Sequence, residues 1–387
     1  MNCTDYKYGL PQEDLAEIQL SFDQKSALKA ISDWQKNPDK PYFVLAGGAG
    51  TGKSTLLRYI AEELVARKDL VLFCTLTGKA ALVLRRKGVP ASTIHSRIYE
   101  VNPRIEDGKE IIEFKKKNSI SYDLIIVDEA SMITQEIFRD LLSFGKPVVF
   151  VGDSYQLPPI NDTFNLMEKP DFLIKEVLRQ CLESPILRLA YMAKEGNYIP
   201  VGHYGEGVEV LLEKNLKKDD IINAGQIIVG KNDVRNRINK QYREQRGYVG
   251  HPRKDEKLII LSNNPAKNAF NGQLIYLNRD SVVKKKFYQI DYVDEYEYLD
   301  SYFAVTADIK KANVIFNPST KGFNGTKNYS VLMVDYGYAI TCHKSQGSQF
   351  DDVLVYGSFY YWDKELKSRW MYTAITRAVS TLKIIHF

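Results

Sequence analysis

Eight residues restrict this chain more than any others: Gly47-Gly-Ala-Gly-Thr-Gly-Lys-Ser54. They follow the apolar run Tyr42-Phe-Val-Leu-Ala46 and lead straight into a helix-like stretch, Lys53 to Ala66. A buried strand, a glycine-rich turn and a helix in that order form the setting in which G-x-x-x-x-G-K-[ST] curls around phosphate. The chain therefore needs a parallel sheet with helices on its faces, since such a loop sits at the carboxyl edge of one.

The chemistry of the cradle follows from its residues. Gly47, Gly48, Ala49, Gly50, Thr51 and Gly52 offer backbone N–H groups, and the helix N-terminus adds partial positive charge. Lys53 is placed to reach the β- and γ-phosphates, Ser54 to ligate Mg²⁺ and Thr55 to close the cradle. The expected cofactors are ATP and Mg²⁺.

A second apolar strand ends in acid: Leu124-Ile-Ile-Val-Asp-Glu-Ala-Ser131. Asp128 and Glu129 then lie at the same sheet edge, Asp128 to hold the metal through water and Glu129 to polarise an attacking water. A third strand, Val148 to Val151, runs into Gly152, Asp153 and Gln156, and the glutamine is a candidate γ-phosphate contact.

The remaining pattern sets the architecture. Leu70 to Cys74 is a further strand candidate, with helical segments between the strands. Ile98 to Lys115 reads as a hairpin around Glu106-Asp107-Gly108. Strand-like runs follow one another from Lys257 to Ser330 without a clear helix. The expected fold is α/β, with two parallel-sheet domains, a β-hairpin insert and a small β-barrel insert, and the resemblance set out below implies that the two are RecA-like P-loop motor domains. The expected bounds are 1–97 and 119–176 for the first motor domain, 98–118 for the hairpin, 177–256 and 332–387 for the second motor domain, and 257–331 for the barrel.

Composition decides little. At 387 residues, with 44% hydrophobic and 26% charged residues, the chain suits two or three soluble domains. No run is apolar and long enough for a membrane span, and the N-terminus has no signal-peptide pattern. Four isolated cysteines lack metal-ligand spacing and fit a reducing cytoplasm, bacterial or phage-infected. A net charge of +5 is only a mild lean toward a polyanion.

Taken in order, these segments resemble those of superfamily 1 helicases, through most of the chain. Phe22-Asp-Gln24 is similar to the glutamine motif that reads adenine, and Thr75-Leu-Thr-Gly-Lys79 and Ser92-Thr-Ile-His95 to DNA-contacting segments. Val177-Leu-Arg-Gln180 resembles the element that lends an arginine to the γ-phosphate. Ala339-Ile-Thr-Cys-His-Lys-Ser-Gln-Gly347 and Tyr372-Thr-Ala-Ile-Thr-Arg377 resemble the last two motifs of the second motor domain. The spelling His-Lys-Ser-Gln-Gly, the hairpin and the β-rich insert point to the RecD-like, 5′→3′ branch.

The resemblance implies an ATP-dependent helicase acting on single-stranded DNA and duplex junctions. It would act as a functional monomer, with replication or recombination proteins as partners. It assigns Arg179 and Arg377 to the transition-state charge, and Gln24, Gly347 and Gln349 to the nucleotide. Many relatives carry glutamate where Gln349 stands. Candidate nucleic-acid contacts are Thr77, Lys79, Thr93, His95, Thr341, His343 and Lys344, with Pro158 and Asn264 in the same channel. Such hydroxyls, imidazoles and amines donate to phosphates without reading sequence. The residues also leave open an RNA helicase of the same superfamily, or an ATP-switched binding module that does not unwind.

Overall fold

The computed structural model describes residues 19–65, 70–159, 164–178, 183–284, 287–294, 310–316, 331–357 and 363–386. Within these it leaves out 107–108, 263, 265–266, 268 and 270, and for 101–114 it describes backbone only.

The first domain runs α1 (Phe22–Lys36), β1 (Tyr42–Gly47), α2 (Lys53–Leu64), β2 (Val71–Thr75), α3 (Gly78–Arg86), β3 (Ser92–Thr93) and α4 (Ile94–Ile98). It continues β4 (Tyr99–Glu106), β5 (Lys109–Lys116), β6 (Leu124–Asp128), α5 (Gln135–Leu142), β7 (Val148–Gly152) and β8 (Phe172–Ile174). Its sheet has the order β3-β2-β6-β7-β1-β8, with every pairing parallel. Strands β2, β6 and β7 are buried at every position, which is why they read as unbroken apolar runs. β1 and β6 end side by side with β7 between them, which brings the glycine loop and Asp128 to one edge.

Strands β4 and β5 stand apart as a two-stranded ribbon, paired from Tyr99↔Lys116 to Glu106↔Lys109. The Tyr99 hydroxyl donates to Asp140 on α5 at 2.5 Å, and Lys116 Nζ donates to Ser143 Oγ at 2.6 Å. Its base is thus pinned to the domain that carries the phosphate loop.

The second domain comprises α6 (Pro185–Lys194), β9 (Gly202–Gly205), β10 (Val208–Leu212), α7 (Lys218–Ile222), β11 (Gln226–Val229) and α8 (Asn232–Gln245) before the insert. The insert holds β12 (Lys257–Ile260), β13 (Leu274–Leu277), β14 (Val282–Val283), β15 (Tyr288–Asp294), β16 (Lys310–Phe316) and β17 (Val331–Tyr336). The domain resumes with β18 (Ala339–Thr341), α9 (Cys342–Ser345), β19 (Phe350–Tyr356), α10 (Lys364–Ile375) and β20 (Ala378–His386).

Its sheet order is β18-β11-β19-β20-β10-β9, parallel except for the edge strand β9. In the insert the order is β13-β12-β17-β16-β15-β14, and a β13–β15 pairing closes a small barrel. Alternate residues fill it, Leu258 with Ile260, Ile275 with Leu277 and Leu332 with Val334. The barrel sheet takes in β17, so it extends through Tyr336 and beyond the expected bound at 331. Asn239 of α8 holds the return to the second domain: its Oδ1 accepts from Ala339 N at 2.7 Å, and its Nδ2 donates to Tyr336 O at 2.9 Å.

Cys74 and Cys342 are buried free thiols, as small hydrophobes would be, while Cys3 and Cys181 lie outside the described residues. No helix among the described residues is long and apolar enough to cross a membrane.

Candidate nucleotide and nucleic-acid site

The phosphate loop owes its shape to glycine. Gly52 caps α2 with φ of 75°, a left-handed conformation that other residues adopt only with strain. Inside the loop, Lys53 Nζ donates to Gly48 O at 2.8 Å and Thr51 Oγ1 donates to the same oxygen at 2.9 Å. Ser54 and Thr55 follow in the first turn of α2, half-buried, with Ser54 beside the amides that a phosphate would use.

Asp128 is buried at the end of β6, and its carboxyl is raised to about 7, by burial first and the neighbouring Glu129 second. The Lys53 ammonium opposes that shift, so the two side chains lie close enough to feel each other. Glu129 has φ of 54°, a strained conformation for a residue with a Cβ, of the kind found at functional sites. This donor set fits Mg²⁺, a hard cation that takes oxygen ligands: the buried Asp128 carboxylate and the Ser54 hydroxyl would hold it, with phosphate and water as further ligands. Among the described residues, no group of three or more acidic, histidine or cysteine side chains could hold a metal without such help.

Gln24 ties the loop to α1. Its Oε1 accepts from Ser21 N at 2.9 Å, half of a capping box on α1, and its Nε2 donates to Thr51 O at 3.1 Å. The side chain is buried with both ends of its amide engaged on backbone. Arg179 lies outside the described residues, although Leu178 N donates to Gly50 O at 3.1 Å just before it.

Arg377 is 4% exposed and belongs to the second domain. It donates to Thr373 O at 3.0 Å, Ser348 O at 3.2 Å and Thr376 Oγ1 at 3.1 Å. No carboxylate pairs with it among the described residues, and a buried guanidinium without an anion is costly. A phosphate is an anion of the right geometry for it.

The contacts between the domains gather on two short loops, and sequence reasoning missed most of them. The Tyr372 hydroxyl accepts from Ala49 N at 2.6 Å and donates to Asp153 Oδ2 at 2.8 Å. The Tyr191 hydroxyl donates to Ala49 O at 3.1 Å. Beyond β7, Arg369 donates to Ser154 O at 2.6 Å, Thr373 Oγ1 accepts from Leu157 N at 3.1 Å, and Gln346 Nε2 donates to Leu157 O at 2.9 Å. The Leu157 side chain packs into the core of the second domain. Between these grips sits Gln156, buried, its Oε1 without a hydrogen-bond partner among the described residues. Arg369, Tyr372 and Thr373 recur at helical spacing along the end of α10, a pattern that could have drawn attention to them.

The expected nucleic-acid contacts divide. Thr77 and Thr93 spend their hydroxyls as N-caps, accepting from Ala80 N at 3.2 Å and Ser96 N at 3.3 Å. Lys79 is buried, its ammonium 4.1 Å from the Phe350 ring centre, so it faces the other domain rather than an open channel. Gly347, with φ of 71°, packs on the same seam, where a Cβ would meet Thr77 Oγ1 at 2.9 Å. Asn264 is buried too, closing a tight loop with Ala269 and accepting from Lys267 N at 3.2 Å.

Thr341, His343 and Lys344 stay half-buried at the start of α9, His95 and Pro158 are half-buried as well, and Gln349 is exposed. His95 packs beside Tyr99 with ring centres 5.4 Å apart. Burial lowers the pKa of both His95 and His343, so they offer neutral imidazoles. Lys344 contacts Asn271 of the barrel, and burial, with Arg235 nearby, brings it down to about 8.

Fold and site together define a P-loop protein of two α/β domains with RecA-like parallel sheets, carrying a hairpin and a barrel insert. Known proteins are similar to it in sequence and in fold. Residues 30–162 match the AAA domain, and residues 336–385 match the UvrD-like helicase C-terminal domain. The chain is 28% identical over 368 residues to the ATP-dependent RecD2 DNA helicase of Deinococcus radiodurans, covering 93% of this chain and 48% of that protein. It is 27% identical over 230 residues to the ATP-dependent DNA helicase dda of Enterobacteria phage T4, covering 56% of this chain and 52% of that one. It thus spans about half the length of these two relatives. In fold it is similar to Pif1 helicase from Candida albicans, with TM-score 0.55, 17% identity, and 96% and 95% of the two chains covered. A Bacteroides Pif1 bound to ADP-AlF3 and ssDNA superposes with TM-score 0.54 at 16% identity, over 95% of this chain and 92% of that one.

Proposed function

We propose that this protein is an ATP-dependent DNA helicase that moves 5′→3′ along single-stranded DNA and opens duplex ahead of it. One observation carries the reading: the phosphate loop and the loop ending in Leu157 are both gripped by the second domain, at Tyr372, Tyr191, Arg369, Thr373 and Gln346. A nucleotide that alters either loop must alter how the two domains sit, and alternating domain spacing is what a stepping motor needs.

The roles follow from position. The loop amides and Lys53 bind the phosphates, while Ser54 and Asp128 would hold Mg²⁺. When bound, the ion would supply neutralisation of phosphate charge. Glu129 orients and deprotonates the attacking water. Arg377, buried and without an anionic partner among the described residues, meets charge developing on the phosphoryl group, and Arg179 shares that role. The single strand runs over Thr341, His343, Lys344, His95 and Pro158, held by its backbone. The relatives' names, RecD2 DNA helicase and DNA helicase dda, support DNA over RNA.

Strand displacement on duplexes with 5′ or 3′ single-stranded tails, made as DNA and as RNA, tests this. ATP-dependent opening of the 5′-tailed DNA is expected, with the 3′-tailed and RNA duplexes left closed. Opening only 3′-tailed duplexes reverses the direction, and preference for RNA changes the substrate. ATP hydrolysis that ignores single strands would leave a nucleotide switch in place of a motor.

A further inference from the structure

We propose that Tyr372 and Tyr191 form a clasp by which the second motor domain sets the geometry of the phosphate loop, and that Tyr372 couples turnover to the occupied single-strand track. The proposal rests on the helicase reading and names the residue that joins its two halves. Ala49 is held on both sides of its peptide: its N–H by the Tyr372 oxygen at 2.6 Å and its carbonyl by the Tyr191 hydroxyl at 3.1 Å. Two hydroxyls from the other domain converging on one loop residue exceed what packing needs, because phenylalanine would fill the same space.

Tyr372 can play its part only as a neutral phenol, since it accepts from Ala49 while donating to Asp153. Burial, together with the Asp153 carboxylate, holds its pKa well above the usual tyrosine value, so the proton stays in place at neutral pH. The second oxygen of Asp153 accepts from Tyr155 N at 3.0 Å, which fixes the turn leading to Gln156. One side chain therefore reaches both the phosphate loop and the turn that carries the candidate γ-phosphate contact.

The other end of the path is the track. Cys342, beside His343 and Lys344, donates its thiol to Trp370 O at 3.6 Å, two residues before Tyr372. Cys342 and Trp370 are both fully buried, so a shift of α9 under a bound strand is passed to α10 by packed atoms. Tyr372 is a positioning residue on this account, acting through Ala49 and Asp153.

ATP turnover with and without oligo(dT), and binding of a fluorescent ATP analogue, test the clasp in wild type, Tyr372→Phe and Tyr191→Phe. In wild type, oligo(dT) should stimulate turnover many-fold. Tyr372→Phe should bind analogue and oligo(dT) within about threefold of wild type, yet lose about tenfold of the stimulation factor, as coupling residues do. Tyr191→Phe, which leaves Asp153 untouched, should lose a smaller part. Wild-type stimulation in both variants overturns the clasp, and so does a Tyr372→Phe whose turnover falls only in step with analogue binding. A wild type that oligo(dT) fails to stimulate instead sinks the helicase reading on which the clasp rests.

Discussion

The Lys79 ammonium of the first motor domain lies 4.1 Å from the ring centre of Phe350 in the second. Phe350 itself is 9% exposed and packs into the second domain's core, so the pair is a buried seam between the domains. A cation on an aromatic face contributes roughly 0.5–2 kcal/mol, more as water is excluded. Lys79 thus serves the joint between the motors, although its motif suggests a phosphate contact.

Replacing Lys79 with methionine separates those roles, since the stem is kept and the charge removed. Affinity for oligo(dT) is expected to keep its salt dependence, with turnover lowered by the weakened seam. A lysine on a DNA phosphate would instead reduce the slope of log affinity against log salt by about 1. Fluorescence anisotropy titrations from low to moderate salt give that slope directly.

Gln24 offers a comparable test. Its amide closes the capping box on α1 and bonds the phosphate loop at Thr51. Gln24→Ala removes both, at a cost of roughly 1–3 kcal/mol in stability. The Michaelis constants for ATP and GTP should rise together, because the loop loosens without any change in base recognition. A selective loss for ATP would return Gln24 to the adenine contact.

Much of this molecule can be read from its residues, and the boundary has a physical cause. Uninterrupted apolar runs such as Leu124–Asp128 announce buried parallel strands, because nothing else buries both faces of a strand. The glycine loop and the acidic strand end are equally local, and their places at one sheet edge follow from the fold. The hairpin announces itself through its turn. The seam is different. Lys79 and Thr77 look like track residues until the second domain is in place, and only then does Phe350 cover the one and Gly347 crowd the other. Tyr372 and Tyr191 were invisible for the same reason: they are 181 positions apart and meet at Ala49 only across two domains.

Lys344 predicts a pH dependence. Its ammonium is held at about 8, below the ordinary 10.5, by burial first and Arg235 second. Between those values the folded protein carries fewer protons at this position than the unfolded chain. This group therefore makes stability rise with pH across that window, and below about 8 its strained charge is fully present. A DNA phosphate beside it favours the charged form, so binding above about pH 8 takes up a proton. Affinity for oligo(dT) should fall as pH rises from 7 to 9, and Lys344→Arg, charged throughout, should flatten the curve. A wild-type profile as flat as the variant's would remove Lys344 from the track.

The hairpin carries the last prediction, that it splits the duplex. Its eight-pair ribbon projects from the domain holding the phosphate loop, fixed at the base through Tyr99 to Asp140 and Lys116 to Ser143. Among the described residues β4 and β5 pair with each other and with no strand of the domain's parallel sheet, so the ribbon does not extend that sheet's edge. A strand drawn past a rigid ribbon leaves its complement behind, and each base pair opened costs on the order of 1.4 kcal/mol in stacking. Replacing Asn102 to Ile112 with a short Gly-Ser turn keeps both anchors and removes the projecting part. Oligo(dT)-stimulated hydrolysis and single-strand translocation should persist in that variant, while strand displacement falls at least about tenfold, a loss of about 1.4 kcal/mol in the opening step. Displacement at the wild-type rate would show that the ribbon is not the wedge. Loss of folding and hydrolysis together would make it part of the domain's own framework, a role its isolation from the sheet argues against.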